Sequence, residues 1–328
     1  MPALKVRLQL HLGNIRQMRL LRGGKRLYIT PHITASNPFS PSMIREVAMS
    51  DLFAQVQKST AHAIAKGALL PLQSESELVE TDGLPYSINH LSSLSQKDMA
   101  NALQKSAGGN PFAPYDPDLF VADLSDTHVL LLNKFPIVDH HVMAISREFV
   151  PQSRALDSAD FKALAQLLNG VDGLFMYNGG ALAGASQPHR HVHMMPGRTA
   201  PLAAIYPQGA SEKILQVAPF RFVHAFIRMH PAHSGDATYL QEIIEMACAH
   251  CQLQPQNGEM PAYNLLGTRH WLLAVPRSAP KWEQGNVSVN VSALEFGGQI
   301  GVRGPEQIEF VKKAGILAIL EAAAIKKS

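Results

Sequence analysis

Cysteine is nearly absent from this chain: among its 328 residues only Cys248 and Cys251 carry a thiol. A small scaffold stapled by disulfides is therefore excluded, and two lone thiols fit a reducing compartment, so a cytoplasmic location is expected. Long apolar runs are missing as well. The longest, such as Val129–Leu132 and Trp271–Val275, have the length of strands, against the roughly 20 consecutive apolar residues that a membrane-spanning helix requires. No apolar stretch leads into the small-residue cleavage site of a secretory signal. Acidic side chains are missing from residues 1–45, which hold eight basic ones. Without that segment the chain has 21 basic against 26 acidic groups, a net charge of −5 where the whole has +3. The body thus lacks the excess of Lys and Arg with which a domain holds phosphate backbones. Neither a nucleic acid nor a membrane is expected as a partner.

What is present has a globular balance, 46% hydrophobic and 17% charged, on a chain long enough to bury one large core or two modest ones. The basic start has two readings. An Arg-rich, acid-free segment resembles an organelle transit peptide; alternatively it is an extension, or an upstream start, before a fold that begins near Met43 or Met49. Gly23-Gly24 and Pro31 would interrupt a long amphipathic helix there and favour the extension. Three segments result: the extension at 1–48, a first folded unit at 49–205, and a second at 206–328.

Helical and extended patterns alternate beyond the extension, predicting an α+β fold. Asp51–Lys66 reads as a helix buried through Phe53, Val56, Ala61 and Ile64. Residues 100–118 are rich in Gly, Asn, Pro and Asp and read as a loop. Thr127–Leu132 and His141–Ser146 flank a turn and read as paired strands. A helix is predicted over Ser158–Leu168 with Ser158 as its N-cap, and another over Tyr239–Gln252 with Leu240, Ile243, Ile244 and Ala247 inward. Ala262–Leu266 and Trp271–Val275 read as strands, 285–303 as extended, and Pro305–Ala323 as one closing helix. Cys248-Ala-His-Cys251 has donors for zinc, but a structural site normally draws four ligands from two segments. The plainer reading is two buried thiols on a helix, and no metal site is expected.

The informative stretch runs from Leu174 to Met195. A short strand, Leu174–Tyr177, enters a loop of small residues, Asn178-Gly-Gly-Ala-Leu-Ala-Gly184-Ala185-Ser186-Gln187-Pro188, which delivers His189-Arg-His191-Val-His193-Met-Met. At the two-residue period of a strand, three imidazoles share one face while Arg190, Val192 and Met194 take the other. A metal site would need a further ligand from elsewhere, and a merely polar sheet face would not call for three alternating histidines behind a Gly/Ser loop. Nucleophilic catalysis at phosphorus uses all of it. Neutral imidazole attacks near pH 7, a neighbouring histidine orients it, and the loop offers backbone N–H groups and the Ser186 hydroxyl to a phosphate.

The spacing Asn178-x-Gly180-x3-Gly184-x-Ser186-x2-His189-x-His191-x-His193 resembles the active-site strand of the histidine-triad superfamily, in its nucleotidyltransferase branch. Tyr86–Lys97, Leu131-Leu-Asn133-Lys134-Phe-Pro-Ile-Val, Tyr263-Asn264-Leu-Leu and Trp271-Leu-Leu-Ala-Val-Pro-Arg277-Ser278 extend the likeness to the ATP adenylyltransferase family, also called diadenosine tetraphosphate phosphorylases. It covers roughly residues 55–325.

The resemblance implies a histidine-triad-like antiparallel sheet with flanking helices plus a C-terminal α/β unit. It implies His191 as nucleophile on the α-phosphorus of diadenosine tetraphosphate, expelling ATP, after which inorganic phosphate releases ADP from the adenylyl-histidine. Ser186 and the backbone of Gly184, Ala185 and Gln187 would hold the α-phosphate, Asn178 would sit near that phosphate or its ribose, and His189 would orient the nucleophile. Lys97, Asn133 and Lys134 match nucleotide-contacting positions, the lysines as mobile point charges for a polyphosphate. Asn264, Thr268 and Arg269 would close the far end of the site. No covalent cofactor is implied, although a divalent cation such as Mg could arrive with the nucleotide, and a monomer is expected. Two departures stand out. His193 occupies a position that is Gln in eukaryotic relatives, which brings hydrolysis closer, and Thr268-Arg269-His270 stands where relatives have a Lys-Glu pair before Trp. Hydrolysis and hexose-1-phosphate uridylyl transfer are the neighbouring chemistries, and a non-catalytic nucleotide sensor is the reading from another class.

Overall fold

The structure, a computed structural model, describes residues 41–91 and 110–327. The basic start up to residue 40, Lys97 and residues 100–109 lie outside the described residues. Chain contacts separate Met1–Arg45 from Glu46–Ser328, and the sheets, cores and cavity belong to the second. The chain enters it through helix α1 (Pro41–Lys66), followed by the hairpin β1 (Ser74–Thr81) and β2 (Leu84–Leu91). Then come β3 (Phe120–Asp123), β4 (His128–Leu132), β5 (Val142–Ser146), α2 (Ser158–Gly170), β6 (Gly173–Gly179) and β7 (His191–Pro196). The later half supplies β8 (Ile214–Leu215), β9 (Ala225–Arg228), α3 (Ala237–His250), β10 (Tyr263–Thr268) and β11 (Trp271–Pro276). It ends with β12 (Lys281–Gln284), β13 (Val287–Asn290), α4 (Ala293–Phe296), β14 (Gln299–Val302), α5 (Pro305–Ala314) and α6 (Ile316–Ala323).

Nine strands form one antiparallel sheet in the order β3-β4-β5-β7-β6-β10-β11-β9-β8. Residue 205 is no boundary in it, because β6 pairs with β10 from Tyr263↔Gly179 to Gly267↔Phe175. β1, β2 and β14 make a separate small sheet, with β14 parallel to β2.

Alternation decides what each face of the large sheet meets. Tyr177, Val192, Met194, Tyr263 and Leu265 turn to one core, where Phe161, Leu164, Leu167 and Leu168 of α2 and Leu240, Ile243 and Ile244 of α3 cover them. Leu167 and Leu168 are completely buried, so truncation of either to Ala would cost about 2–5 kcal/mol. Leu174, Met176, Met195, Leu266 and Leu273 point the other way, into a core closed by β13, α4, β14, α5 and α6. Beside it Val129, Leu131, Met143 and Ile145 pack with Phe112 in a third cluster.

Four details depart from the sequence reading. α1 buries Val56, Thr60 and Ala63 at spacings of four and three, leaving Ala61 and Ile64 exposed. The N-cap of α2 is Asp157: its side chain accepts from Ala159 and Asp160 N–H, and Asp160 accepts from Asp157 N–H, a reciprocal box that a carboxylate fills as well as Ser would. The stretch 285–303 contains the short helix α4. The closing helix is two helices, because Gly315 at φ 74° takes a left-handed conformation that only glycine adopts without strain.

Candidate active site

β6 and β7 run side by side from Gly173↔Pro196 to Met176↔His193 and then part. β6 stays paired with β10 as far as Gly179 and β7 is paired with β5 from His191, so residues 180–190 leave the sheet at that fork, and a loop and the histidine strand share one origin. Within the loop, Ala183 N–H donates to Gly180 O, Gly184 N–H to Ala181 O, and Ala185 N–H to Gly180 O, at 3.0–3.2 Å. The amides of Gly184 and Ala185 are therefore spent inside the loop, contrary to the expectation that they hold phosphate. Ser186 and Gln187 have no bonded backbone N–H among the described residues, and both line the cavity.

Each histidine has a tautomer that its neighbours dictate. His189, fully buried, donates from Nε2 to Ser146 O at 2.7 Å and accepts at Nδ1 from Asn110 Nδ2 at 2.8 Å. The amide of Asn110 faces this way because its oxygen accepts from Phe112 N–H. Burial depresses the His189 pKa below the ordinary value, which suits a ring held neutral. His191 donates from Nδ1 to His189 O at 2.7 Å, so in the neutral ring Nε2 carries the lone pair. A third relay involves a histidine that the sequence reading missed. Asn133 Oδ1 accepts from Phe135 N–H, turning Nδ2 to donate to His141 Nδ1 at 3.3 Å. His141 then donates from Nε2 to His193 Nδ1 at 3.1 Å, leaving the proton of a neutral His193 on Nε2. His141 follows His140 in a turn and carries no motif of its own; it stands just ahead of β5, from where its ring reaches His193, the partner of Met143 in the ladder.

The cavity beside these rings has a volume of about 580 Å³. His191, His193, Asn133, Lys134, Ser186 and Gln187 line it together with Phe112, Tyr115, Leu119, Leu131 and Met143. Its wall thus combines an imidazole whose Nε2 carries the lone pair in the neutral ring, a cationic and amide group suited to phosphate, and an apolar aromatic surface suited to a base.

Other expected site residues stand elsewhere. Asn178 and Asn264 are buried and bonded to each other: Asn264 Nδ2 donates to Asn178 Oδ1 and to Ala183 O, and Ala293 N–H also donates to Asn178 Oδ1. Arg277 completes this network with bonds to Asn264 Oδ1, Ala183 O, Ala279 O, Val291 O and Ala323 O. Burial lowers its pKa to about 10, still well above neutrality. These residues shape the loop from behind and do not line the cavity. Thr268 and Arg269 are further off. β10 runs antiparallel to β6, so its end lies beside the start of β6, opposite the end from which the loop departs. There Thr268 Oγ1 accepts from His270 N–H, and Arg269 donates to Leu168 O and Asn169 O, capping α2. Among the described residues no group of three or more His, Cys, Asp or Glu is placed to hold a metal. The two cysteines are buried, their thiols pushed up to about 12 by that burial.

A strand of alternating histidines behind a loop of small residues, both lining one cavity, fits the nucleotidyltransferase class. Residues 43–218 match the Ap4A phosphorylase N-terminal domain and residues 218–326 the ATP adenylyltransferase C-terminal domain. The chain belongs to this family, the Ap4A phosphorylase/ATP adenylyltransferase enzymes, which are nucleotidyltransferases. Among its relatives is diadenosine 5',5'''-P1,P4-tetraphosphate phosphorylase 2 of Saccharomyces cerevisiae, 29% identical over 68% of this chain and 78% of that protein. Another is Protein APA1 of the same yeast, 25% identical over 74% of this chain and 84% of the relative. The crystal structure of yeast Ap4A phosphorylase Apa2 superposes with a TM-score of 0.71 at 23% identity, covering 85% of this chain and 96% of the other. The same enzyme in complex with Ap4A gives 0.69 at 21% identity, covering 85% and 99%.

Proposed function

We propose that this enzyme cleaves diadenosine 5',5'''-tetraphosphate by phosphorolysis, giving ATP and ADP through an adenylyl group on His191. The observation that carries the reading is the bond from His191 Nδ1–H to His189 O, which keeps the Nε2 lone pair on a cavity-lining ring. In the first half-reaction Nε2 attacks the α-phosphorus, the bond to the bridging oxygen breaks, and ATP departs. The relay Asn133–His141–His193 places a proton on His193 Nε2, from which the departing oxygen can take it. In the second, an oxygen of inorganic phosphate attacks the same phosphorus, the P–N bond breaks and ADP leaves. Lys134, with the Ser186 and Gln187 amides, faces the developing charge. A divalent cation would enter with the polyphosphate, and the reading needs neither a second subunit nor a nucleic acid.

The His141–His193 relay also favours a second reading, in which water replaces phosphate and AMP plus ATP are the products. Incubation with diadenosine tetraphosphate, with and without phosphate, followed by chromatography, separates the two. Phosphate-dependent ADP and ATP are expected; AMP and ATP without phosphate would make the enzyme a hydrolase, and an uncleaved substrate would overturn both readings.

A further inference from the structure

Gln152 lies outside the short motifs quoted for the family likeness, and it is 2% exposed. It precedes α2, yet its amide sits at the fork between β6 and β7. Oε1 accepts from His191 N–H at 2.8 Å, and Nε2 donates to His191 O at 2.9 Å and to Asn178 O at 3.0 Å. Both carbonyls require a donor and the N–H requires an acceptor, so the amide has one possible orientation, and all three bonds are used. Its backbone is held too: Gln152 N–H donates to Pro188 O at 2.7 Å, and the buried Tyr177 hydroxyl donates to Gln152 O.

The segment around it is itself gripped from the opposite face of β7. Arg190, 1% exposed and ion-paired with Asp160, donates to Arg154 O at 2.7 Å and to Pro151 O and Ala155 O at 3.2–3.3 Å. The arginine between the first two histidines thus fixes the strap that carries Gln152, and Gln152 returns to the backbone of the second.

We propose that Gln152 is a positioning residue for adenylyl transfer. One amide ties together Asn178 and His191, the two ends of the phosphate loop, and its own backbone ties Pro188 just before the histidines. The spacing between the His191 ring and the Ser186–Gln187 amides is therefore referred to a single anchor. Without it, His191 N–H and His191 O lose the bonds that stand in for β6–β7 pairing at the nucleophile, and Asn178 O keeps Gly180 N–H but loses its tie to β7. The strands can then zip one residue further or admit water, and either change moves the nucleophile relative to the phosphate. Misplacement of about 1 Å at a reacting centre lowers rates by roughly 10²-fold. The inference rests on the reading of His191 as nucleophile.

The test is Gln152→Met, close in volume and unable to make any of the three bonds, assayed with diadenosine tetraphosphate and phosphate well below its melting temperature. The expected result is a kcat lowered roughly 10- to 100-fold with KM within about 3-fold of wild type, and a matching loss in the single-turnover rate of labelled adenylyl-enzyme formation. Gln152→Asn, which keeps the amide on a shorter stem, is expected to lie between the two and serves alone should the Met variant not fold. A merely structural residue would lower the melting temperature and leave kcat per labelled site within about 3-fold of wild type; that result would overturn the proposal. Wild type and His191→Ala run alongside. If wild type forms no adenylyl-enzyme, the nucleophile reading falls and takes this one with it; if wild type labels and both Gln152 variants match its rate, only the role of Gln152 falls.

Discussion

At the scale of single residues, the site depends on which ring nitrogen holds a proton. His191→Ala removes the lone pair and is expected to abolish turnover without changing the circular dichroism spectrum, since the truncation leaves the strand backbone intact; activity near wild type would remove His191 from the mechanism. His193→Gln retains a donor and is expected to be far milder. A loss as complete as that of His191→Ala would instead make the His193 proton indispensable for the leaving group. Spacing alone placed three imidazoles on one strand face, and the choice of the middle one came from the family resemblance. His141 was not legible, because its meaning comes from pairing across β5 and β7, where Met143 stands opposite His193 and the ring before it reaches across. Asn178 and Asn264 were legible as special but not as to what they touch: a polar side chain read as a ligand contact is equally well used by a neighbouring buried amide.

A different histidine bears on stability. His224 is 1% exposed, donates from Nδ1 to Phe222 O and accepts at Nε2 from Val217 N–H. Both nitrogens are committed in the neutral form, and burial lowers its pKa to about 4 from 6.5. The unfolded chain therefore binds a proton that the folded chain refuses between those values. The stabilisation is complete above pH 6.5 and is lost as the pH falls toward 4. At roughly 1.4 kcal/mol per unit this amounts to about 3 kcal/mol. Urea unfolding of wild type and His224→Asn at pH 7.5 and 4.5 checks it. The stability gap between them is expected to shrink at the lower pH, and a gap that does not move would refute the assignment.

At the scale of elements, the loop between β6 and β7 is held by its back. Gly184 has φ 89°, and a Cβ there would meet Val291 O at 2.9 Å and Ser292 Cα at 3.0 Å. Gly184→Ala is therefore expected to displace the loop and lower kcat/KM by at least about 10-fold, measured on diadenosine tetraphosphate. Asn264→Ala leaves a guanidinium bond, a carbonyl and the Asn178 oxygen short of partners. It is expected to lower unfolding stability by about 2–4 kcal/mol while leaving KM close to wild type in the folded enzyme; a raised KM with unchanged stability would return Asn264 to the substrate. Elements whose periodicity is strong, such as α3 with Leu240, Ile243 and Ile244 inward, could be read directly. Those governed by one backbone conformation could not: the apolar pattern runs on through 305–323, and only the left-handed Gly315 divides it into α5 and α6.

At the scale of the molecule, the fork that makes the site also joins the halves of the chain. β6, which leads into the loop ahead of the histidines, is bracketed by β7 from the first half and β10 from the second. Arg277 and α4 from the second half reach the loop through Ala183 and Asn178. The apolar side of the sheet behind Met195 is closed by Leu84, Tyr86 and Ile88 of β2 and, for the larger part, by residues from 202 to 324. Removing the later half would leave β6 as a bare edge and uncover that core, and a sheet divided at such a seam has no stable part to retain. Residues 46–328 are therefore expected to unfold in a single calorimetric transition, with adenylyl transfer lost at the same temperature. Two resolved transitions, or an isolated 46–218 fragment that melts cooperatively, would show instead that the match boundary at residue 218 is also a boundary of stability.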